Sequence, residues 1–270
     1  MTQTSISAIG KNRKWLRPTF SPEQGVLLVL AGSFLTGAAL ALQWTYVTTL
    51  ALICAFFALQ AEHPYIVQIK LRKNLKPRYV LWGSIYGVIA LSLAIYLWLQ
   101  SPNLVYLYLL AIMGLIIDAI AVIKGKHKSI FNEIVGMAAI CLAAPLAYVA
   151  TTGNLNLEIM AMWILNTLFF SSAVYTIKLR RKKTAALAPG IIYHSCATLV
   201  VVALFGFNYL SLATALSFSV VLIKYLTVLG VKNWYRQAKF HSIALFETRF
   251  ALVYIAIASI SVLPAHLPQG

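Results

Sequence analysis

The chain alternates long apolar stretches with short polar connections. Each stretch is close to the ~20 residues that a helix needs to cross a bilayer. The first two stretches meet at Gln43 and together are too long for one crossing, which predicts a tight hairpin. The pattern therefore predicts an all-α membrane bundle of nine transmembrane helices, at about residues 25–43, 44–61, 80–100, 104–123, 132–151, 158–177, 189–207, 210–230 and 245–264.

The basic residues predict how this bundle is oriented. All 22 Lys and Arg residues fall in or beside the N-terminal polar segment and every second connection, whereas the alternate connections, such as 101–103 and 151–156, contain none. Because cytoplasmic connections are enriched in Lys and Arg, the N-terminus is predicted to be cytoplasmic and the C-terminus to lie outside. The predicted organisation is a cytoplasmic leader over 1–24, one membrane domain over 25–264 and a short non-cytoplasmic tail over 265–270.

Composition agrees with a membrane protein and argues against several kinds of site. Apolar residues make up 61% of the chain and charged residues 10%, whereas about a quarter of a soluble domain is charged. The orientation accounts for the net charge of +16, so no nucleic-acid partner is predicted. Cys54, Cys141 and Cys196 lie in separate apolar stretches without metal-ligand spacing, which predicts neither a disulfide nor a metal site.

Several polar residues lie inside the apolar stretches. An ionisable group costs at least about 2.5 kcal/mol at the middle of a transmembrane helix, so each such group needs a partner or a function. Asp118 either contacts an ion, a proton or a substrate in a cytoplasm-facing cavity, or bonds to a neighbouring helix. Asn166 either lines a cavity or forms an interhelical hydrogen bond. His194 either carries a proton or contacts a ligand, or packs against a backbone carbonyl.

These polar groups share the predicted cytoplasmic half of the bundle, and this shared depth predicts a cavity open to the cytoplasm. Its predicted catalytic or ligand-contacting residues are Glu62, His63, Asp118, Asn166 and His194. Basic residues at its mouth are predicted to bind an anionic headgroup, although membrane topology alone also accounts for them. They are Lys70, Arg72, Arg78, Lys178, Arg180 and Arg181.

A further set of polar residues is predicted to support the cavity. It consists of Glu23, Asn132, Glu133, Glu247 and Arg249. Glu247 and Arg249 stand two positions apart on one predicted helix, so they are expected to pair with other helices rather than with each other.

One short sequence occurs twice. Ile-Lys-Leu-Arg stands at 69–72 and again at 177–180, 108 positions later, and each copy follows a predicted helix. Four helices separate the two copies, so a true repeat would consist of two four-helix units in the same orientation after one lead helix. Four matching residues in basic connections also arise by chance or from shared topology, and both explanations stay open at this stage.

Five runs of sequence resemble the YwiC-like family of multi-pass membrane proteins, in particular its cyanobacterial members. These runs are 21–25 (SPEQG), 32–44 (GSFLTGAALALQW), 59–64 (LQAEHP), 163–172 (WILNTLFFSS) and 263–268 (LPAHLP). The family has no assigned activity, so this resemblance implies membrane residence without a reaction. A cyanobacterial origin implies either the plasma membrane or the thylakoid membrane.

The helix pattern is also similar to that of the UbiA superfamily of intramembrane prenyltransferases. In that superfamily two four-helix units each carry an Asp-rich loop that holds Mg²⁺ on a prenyl diphosphate. Here the connections after the second and sixth predicted helices contain no Asp, so the resemblance implies Mg²⁺ without the residues that bind it, and the cofactor stays unspecified.

We therefore predict a UbiA-like protein that binds or transfers an isoprenoid or another lipid at a cytoplasm-facing cavity. If the protein is an enzyme, it is an intramembrane transferase. The first alternative is a small-solute transporter or permease that uses Asp118 as its coupling residue. The second is a non-catalytic membrane subunit or assembly factor.

Overall fold

A computed structural model describes residues 18–20, 24–71, 74–180 and 186–264. In these ranges the chain is helical and contains no strand. The helices are α1 (Gln24–Leu40), α2 (Tyr46–Leu71), α3 (Pro77–Gln100), α4 (Leu104–Ile123), α5 (Ile130–Cys141), α6 (Ala143–Thr152), α7 (Leu157–Lys178), α8 (Ala188–Gly206), α9 (Leu212–Leu216), α10 (Ser219–Gly230), α11 (Lys232–Gln237) and α12 (Phe240–Ser261).

Eight helical segments in the described ranges are long and apolar enough to cross a membrane. Two of them are broken helices, because α5 with α6 and α9 with α10 each make one segment. Helix α1 is shorter, with 17 residues and a length of roughly 26 Å against a hydrocarbon core of about 30 Å. The all-α membrane fold is confirmed, while the ninth crossing and the orientation stay predictions.

Two predicted spans differ from the structure in detail. The second was expected to end near residue 61, but α2 continues to Leu71 and includes Pro64 as a buried interior residue. Glu62 and His63 therefore lie within a helix rather than after one. The fifth span breaks at Leu142 because Pro145 has no N–H to donate to the Cys141 carbonyl, so a new helix begins there.

Helix α1 lies between two other helices, α6 and α12. A Cβ built on Gly37 would stand 2.0 Å from the Ala144 carbonyl oxygen of α6. A Cβ built on Gly32 would stand 2.3 Å from the Cδ1 atom of Ile255 on α12. Small residues of this kind let membrane helices approach closely, and they make α1 the centre of the bundle.

Hydrogen bonds identify the two ends of the bundle. At one end Thr48, near the start of α2, bonds to Thr151 of α6, and Asn103 before α4 donates to the Gly153 carbonyl. At the other end Lys178 closes α7 and pairs with Glu133, near the start of α5. Helices α2, α4 and α7 therefore run in the same direction. We call the end that holds Lys178 the basic end, and its cytoplasmic location stays a prediction.

The helix bounds repeat at the same interval as the Ile-Lys-Leu-Arg sequence. If 108 is added to the bounds of α2, α3, α4 and the α5–α6 pair, the results fall within three residues of the bounds of α7, α8, the α9–α10 pair and α12. The first group builds one apolar core, the second group builds another together with Cys141 and Ala144, and both cores include residues of α1. The described chain thus consists of a lead helix and two units of matching helix lengths, which favours a true repeat.

Candidate functional site

The first four-helix unit contains a cavity of about 650 Å³. Helices α2, α3, α4, α5 and α6 line it, and α1 contributes Leu30. Its walls on α2 extend from Cys54 to Ile69, a length of roughly 22 Å at 1.5 Å per residue. The cavity is therefore an elongated apolar trough that follows the helix axes.

Two carboxylate residues, Glu62 of α2 and Asp118 of α4, line this trough. Both lie nearer to the C-terminal end of their helix, which is the basic end of the bundle. Neighbouring positions on a helix diverge by about 100°, so His63 points elsewhere and does not line the trough although Glu62 does. Of the five predicted contact residues, the structure brings Glu62 and Asp118 together at one cavity.

Asp118 is held by the next helix. Its Oδ1 accepts a hydrogen bond of 2.6 Å from Nδ2 of Asn132, which also donates to the His127 carbonyl. Ser129 caps α5 by accepting from the backbone N–H of Asn132, and this fixes Asn132 beside Asp118. Asp118 thus forms the bond to a neighbouring helix that one interpretation predicted, and it also faces a cavity, where contact with an ion, a proton or a substrate stays a prediction.

Side chains that are smaller than their counterparts in the second unit explain why the trough lies in the first unit. Ala58, Ala61, Ala139 and Leu146 all line it. The residues 108 positions later in the second unit are Asn166, Phe169, Glu247 and Tyr254. The rings of Phe169 and Tyr254 stack 3.7 Å apart in the core of that unit. Larger and polar side chains therefore occupy the second unit at the positions where the first unit has space.

Asn166 and His194 lie outside the trough. Asn166 is buried, donates to Thr36 of α1 at 2.8 Å and accepts from the Tyr254 hydroxyl at 2.7 Å, so it forms an interhelical hydrogen bond, one of its two predicted alternatives. The His194 ring stacks on Tyr225 at 3.9 Å, and its Nδ1 lies 2.6 Å from the Gly190 carbonyl. Contrary to our expectation, α7 contributes no described residue to the trough.

The second unit instead contains a buried charged cluster. Lys224 of α10 is 2% exposed, and its Nζ lies 2.9 Å from Oε2 of Glu247 on α12. The same Nζ donates to the Ser172 hydroxyl at 2.8 Å. Glu247 also accepts hydrogen bonds from the hydroxyls of Thr176 and Tyr235. Four helices, α7, α10, α11 and α12, meet at this Lys224–Glu247 cluster, and Glu247 pairs with another helix as predicted.

Tyr235 connects this cluster to the basic end. It lies in α11, the short helix between two spanning segments, and it is 1% exposed. Burial, and then the neighbouring Glu247 carboxylate, raises the pKa of Tyr235 well above its ordinary value. The phenol therefore stays protonated at neutral pH and remains a hydrogen-bond donor to Glu247.

The described basic residues mostly contact protein rather than line the trough. Lys178 pairs with Glu133 at 2.5 Å, and Nη2 of Arg180 donates to the Ala238 carbonyl at 2.5 Å. Arg78 donates to the Pro18 carbonyl, while Lys70 is exposed near the end of α2. Arg249 is also exposed. The remaining members of the two predicted sets, Glu23, Arg72 and Arg181, lie outside the described residues.

Sequence reasoning missed Lys224, Ser172, Thr176 and Tyr235. Lys224 was grouped with the basic residues that set orientation, although it lies inside an apolar stretch six positions before its end at Gly230. An acidic residue in the next apolar stretch, Glu247, was the signal that such a lysine has an intramembrane partner.

The arrangement does not fit the Mg²⁺ clamp that the UbiA resemblance implies. Among the residues that the structure describes, no group of three or more His, Cys, Asp or Glu side chains is placed to hold a metal ion. The trough offers two carboxylates from two different helices, Glu62 and Asp118, rather than two Asp-rich motifs. We therefore derive no step through a metal ion.

The comparison with protein families agrees with the first resemblance. Residues 20–148 match the family model described as YwiC-like protein. Every described residue that lines the trough, from Leu30 to Leu146, falls inside this segment, whereas the Lys224–Glu247 cluster lies outside it. No curated protein and no solved structure matches the chain. The UbiA resemblance and the cyanobacterial origin stay predictions.

Proposed function

We propose that this integral membrane protein, a YwiC-like protein by its residues 20–148, binds a single-chain amphiphilic lipid in the trough, with an isoprenoid as the best candidate. The polar head of the lipid lies near Glu62 and Asp118, and its chain follows the apolar wall toward Cys54. The observation that carries the proposal is the trough itself, which is long, apolar and acidic near one end.

The dimensions of the trough support a lipid rather than a small polar solute. Its volume of about 650 Å³ lies within the roughly 300–1,000 Å³ typical of ligand pockets. Its length of roughly 22 Å exceeds the ~15 Å of one leaflet of a 30 Å hydrocarbon core, so a complete lipid tail fits. The apolar lining offers such a chain the same environment as the bilayer.

Binding is better supported than prenyl transfer. Transfer from a prenyl diphosphate needs the leaving diphosphate to be neutralised, and the described trough residues include neither Lys nor Arg for this task. We therefore propose lipid binding as the function, in either the plasma membrane or the thylakoid membrane.

Gly136→Phe is expected to lower lipid occupancy by roughly tenfold, equivalent to about 1.4 kcal/mol. Gly136 lines the trough, and a Cβ built on it meets no atom within 4 Å, so a phenyl ring enters the open space without displacing the backbone. Native mass spectrometry of the purified protein, with geranylgeraniol added at fixed concentration, measures the occupancy.

Gly206→Phe is the matched control. Gly206 also has open space around it, but it ends α8 in the other unit and does not line the trough. This control is expected to bind as the unchanged protein does. Equal occupancy in all three proteins would overturn the proposal. Asp118-dependent uptake of a solute into proteoliposomes without lipid binding would favour the transporter alternative.

A further inference from the structure

The charges around the trough point to the chemistry of the lipid's head. We infer that this head is a neutral or cationic hydrogen-bond donor, such as an alcohol, a hydroquinone or an amine, and not a phosphate or a diphosphate. This inference rests on the proposed lipid-binding function and specifies its ligand.

The described wall of the trough carries acidic residues without basic ones. Glu62 and Asp118 contribute to it, whereas no Lys or Arg does within the described ranges. Lys178, which the sequence suggested as a headgroup contact, pairs with Glu133 and is not among the described residues that line the trough. An anion beside the Asp118 carboxylate in an apolar cavity is repelled, and weak screening in a low-dielectric environment makes this repulsion stronger than in water.

The acidic residues also present hydrogen-bond acceptors to the trough. Asp118 uses Oδ1 to accept the bond from Asn132. A carboxylate accepts hydrogen bonds and donates none, so a ligand that brings donors to Glu62 and Asp118 is favoured over one that brings acceptors.

The tyrosine hydroxyl groups that line the trough do not supply free donors for a phosphate head. The Tyr108 hydroxyl donates to the Ala94 carbonyl at 3.1 Å, and the Tyr65 hydroxyl shares a 3.2 Å hydrogen bond with Ser84. Their protons are therefore occupied by, or shared with, neighbouring protein atoms. A diphosphate, with several acceptor oxygens and no donor, is the least favourable head for this cavity.

The inference is tested with ligands that differ in their headgroup and share the same isoprenoid chain. Geranylgeranylamine, geranylgeraniol and geranylgeranyl diphosphate are titrated at pH 7 against the full-length protein in nanodiscs of zwitterionic lipid, with native mass spectrometry as the readout. We expect the amine and the alcohol to bind at least about tenfold more tightly than the diphosphate. Asp118→Asn is expected to reduce the ratio of the dissociation constants of the diphosphate and the amine by about threefold or more.

Two variants keep the test independent of folding. Glu62→Gln removes the second carboxylate if Asp118→Asn does not purify, and it is expected to narrow the ratio in the same direction. Glu158→Gln is the control, because Glu158 is an exposed acid at the start of α7, far from the basic end. It is expected to leave the ratio unchanged.

The outcomes separate the two proposals. Equal binding of all three compounds, or preference for the diphosphate, overturns the headgroup inference and leaves lipid binding standing. Binding of none of the three overturns the proposed lipid binding and the inference with it. An unchanged ratio in both Asp118→Asn and Glu62→Gln shows that these carboxylates do not select the head.

Discussion

Lys224→Met is expected to destabilise the protein by about 3–5 kcal/mol and to lower its thermal midpoint by roughly 10 °C. Met has a similar length but no charge, so it leaves the buried Glu247 carboxylate without its counter-ion. Thr176 and Tyr235 still donate to Glu247, but neutral donors do not replace a cation in an apolar environment. Tryptophan fluorescence during heating in detergent micelles measures the midpoint.

The double variant Lys224→Met with Glu247→Leu distinguishes a buried pair from two independent residues. Removing both charges is expected to recover most of the lost stability, because a well-packed apolar pair is often as stable as the ion pair it replaces. Lys239→Met, at an exposed lysine before α12, is the control and should leave the midpoint nearly unchanged. A double variant that loses as much stability as the two single variants combined would contradict the buried-pair interpretation.

The helical segments were predictable from the sequence because hydrophobic length is a local property. Each spanning segment in the structure overlaps a predicted apolar stretch. The errors arose where local rules compete. The second predicted stretch ended near residue 61, yet α2 continues to Leu71 through Pro64, which is buried among other helices. The break at Leu142 was missed, although Pro145 in the same apolar stretch was a readable signal.

The candidate site was predictable only in part, because depth in the membrane is readable from sequence but position around a helix axis is not. Asp118 and Glu62 were expected at one depth, and they line one cavity. Asn166 and His194 were expected beside them, but they lie in other parts of the bundle. Helix packing decides which faces of α2, α4, α7 and α8 are in contact, and the hydropathy pattern does not encode this packing.

The two units have matching helix lengths but differ in the residues of their interior. Ala139 and Glu247 occupy equivalent positions, but the first borders open space and the second accepts a bond from Lys224. The segment that matches the family model, residues 20–148, covers most of the unit with the trough. The proposed lipid binding therefore concerns the first unit, and the buried ion pair belongs to the second.

Gly37→Leu is expected to prevent the lead helix from docking and so to reduce the yield of folded protein severely. A Cβ on Gly37 would lie 2.0 Å from the Ala144 carbonyl oxygen and 2.7 Å from its Cα atom, both of which are backbone atoms that cannot move aside by a rotamer change. Overpacking of a core costs about 1–3 kcal/mol or more, and α1 packs against helices of both units. Size-exclusion chromatography of a fluorescent fusion measures the folded, monodisperse fraction.

Gly25→Leu on the same helix is the matched control. A Cβ on Gly25 meets no atom within 4 Å, so the larger side chain extends toward lipid or the interface. Leu has the higher helix propensity, by up to about 1 kcal/mol, and this variant is expected to fold at least as well as the unchanged protein. If Gly37→Leu is as monodisperse and as thermally stable as Gly25→Leu, the close approach of α1 and α6 does not hold the two units together. The bundle would then depend on the contact between Gly32 and Ile255 on α12.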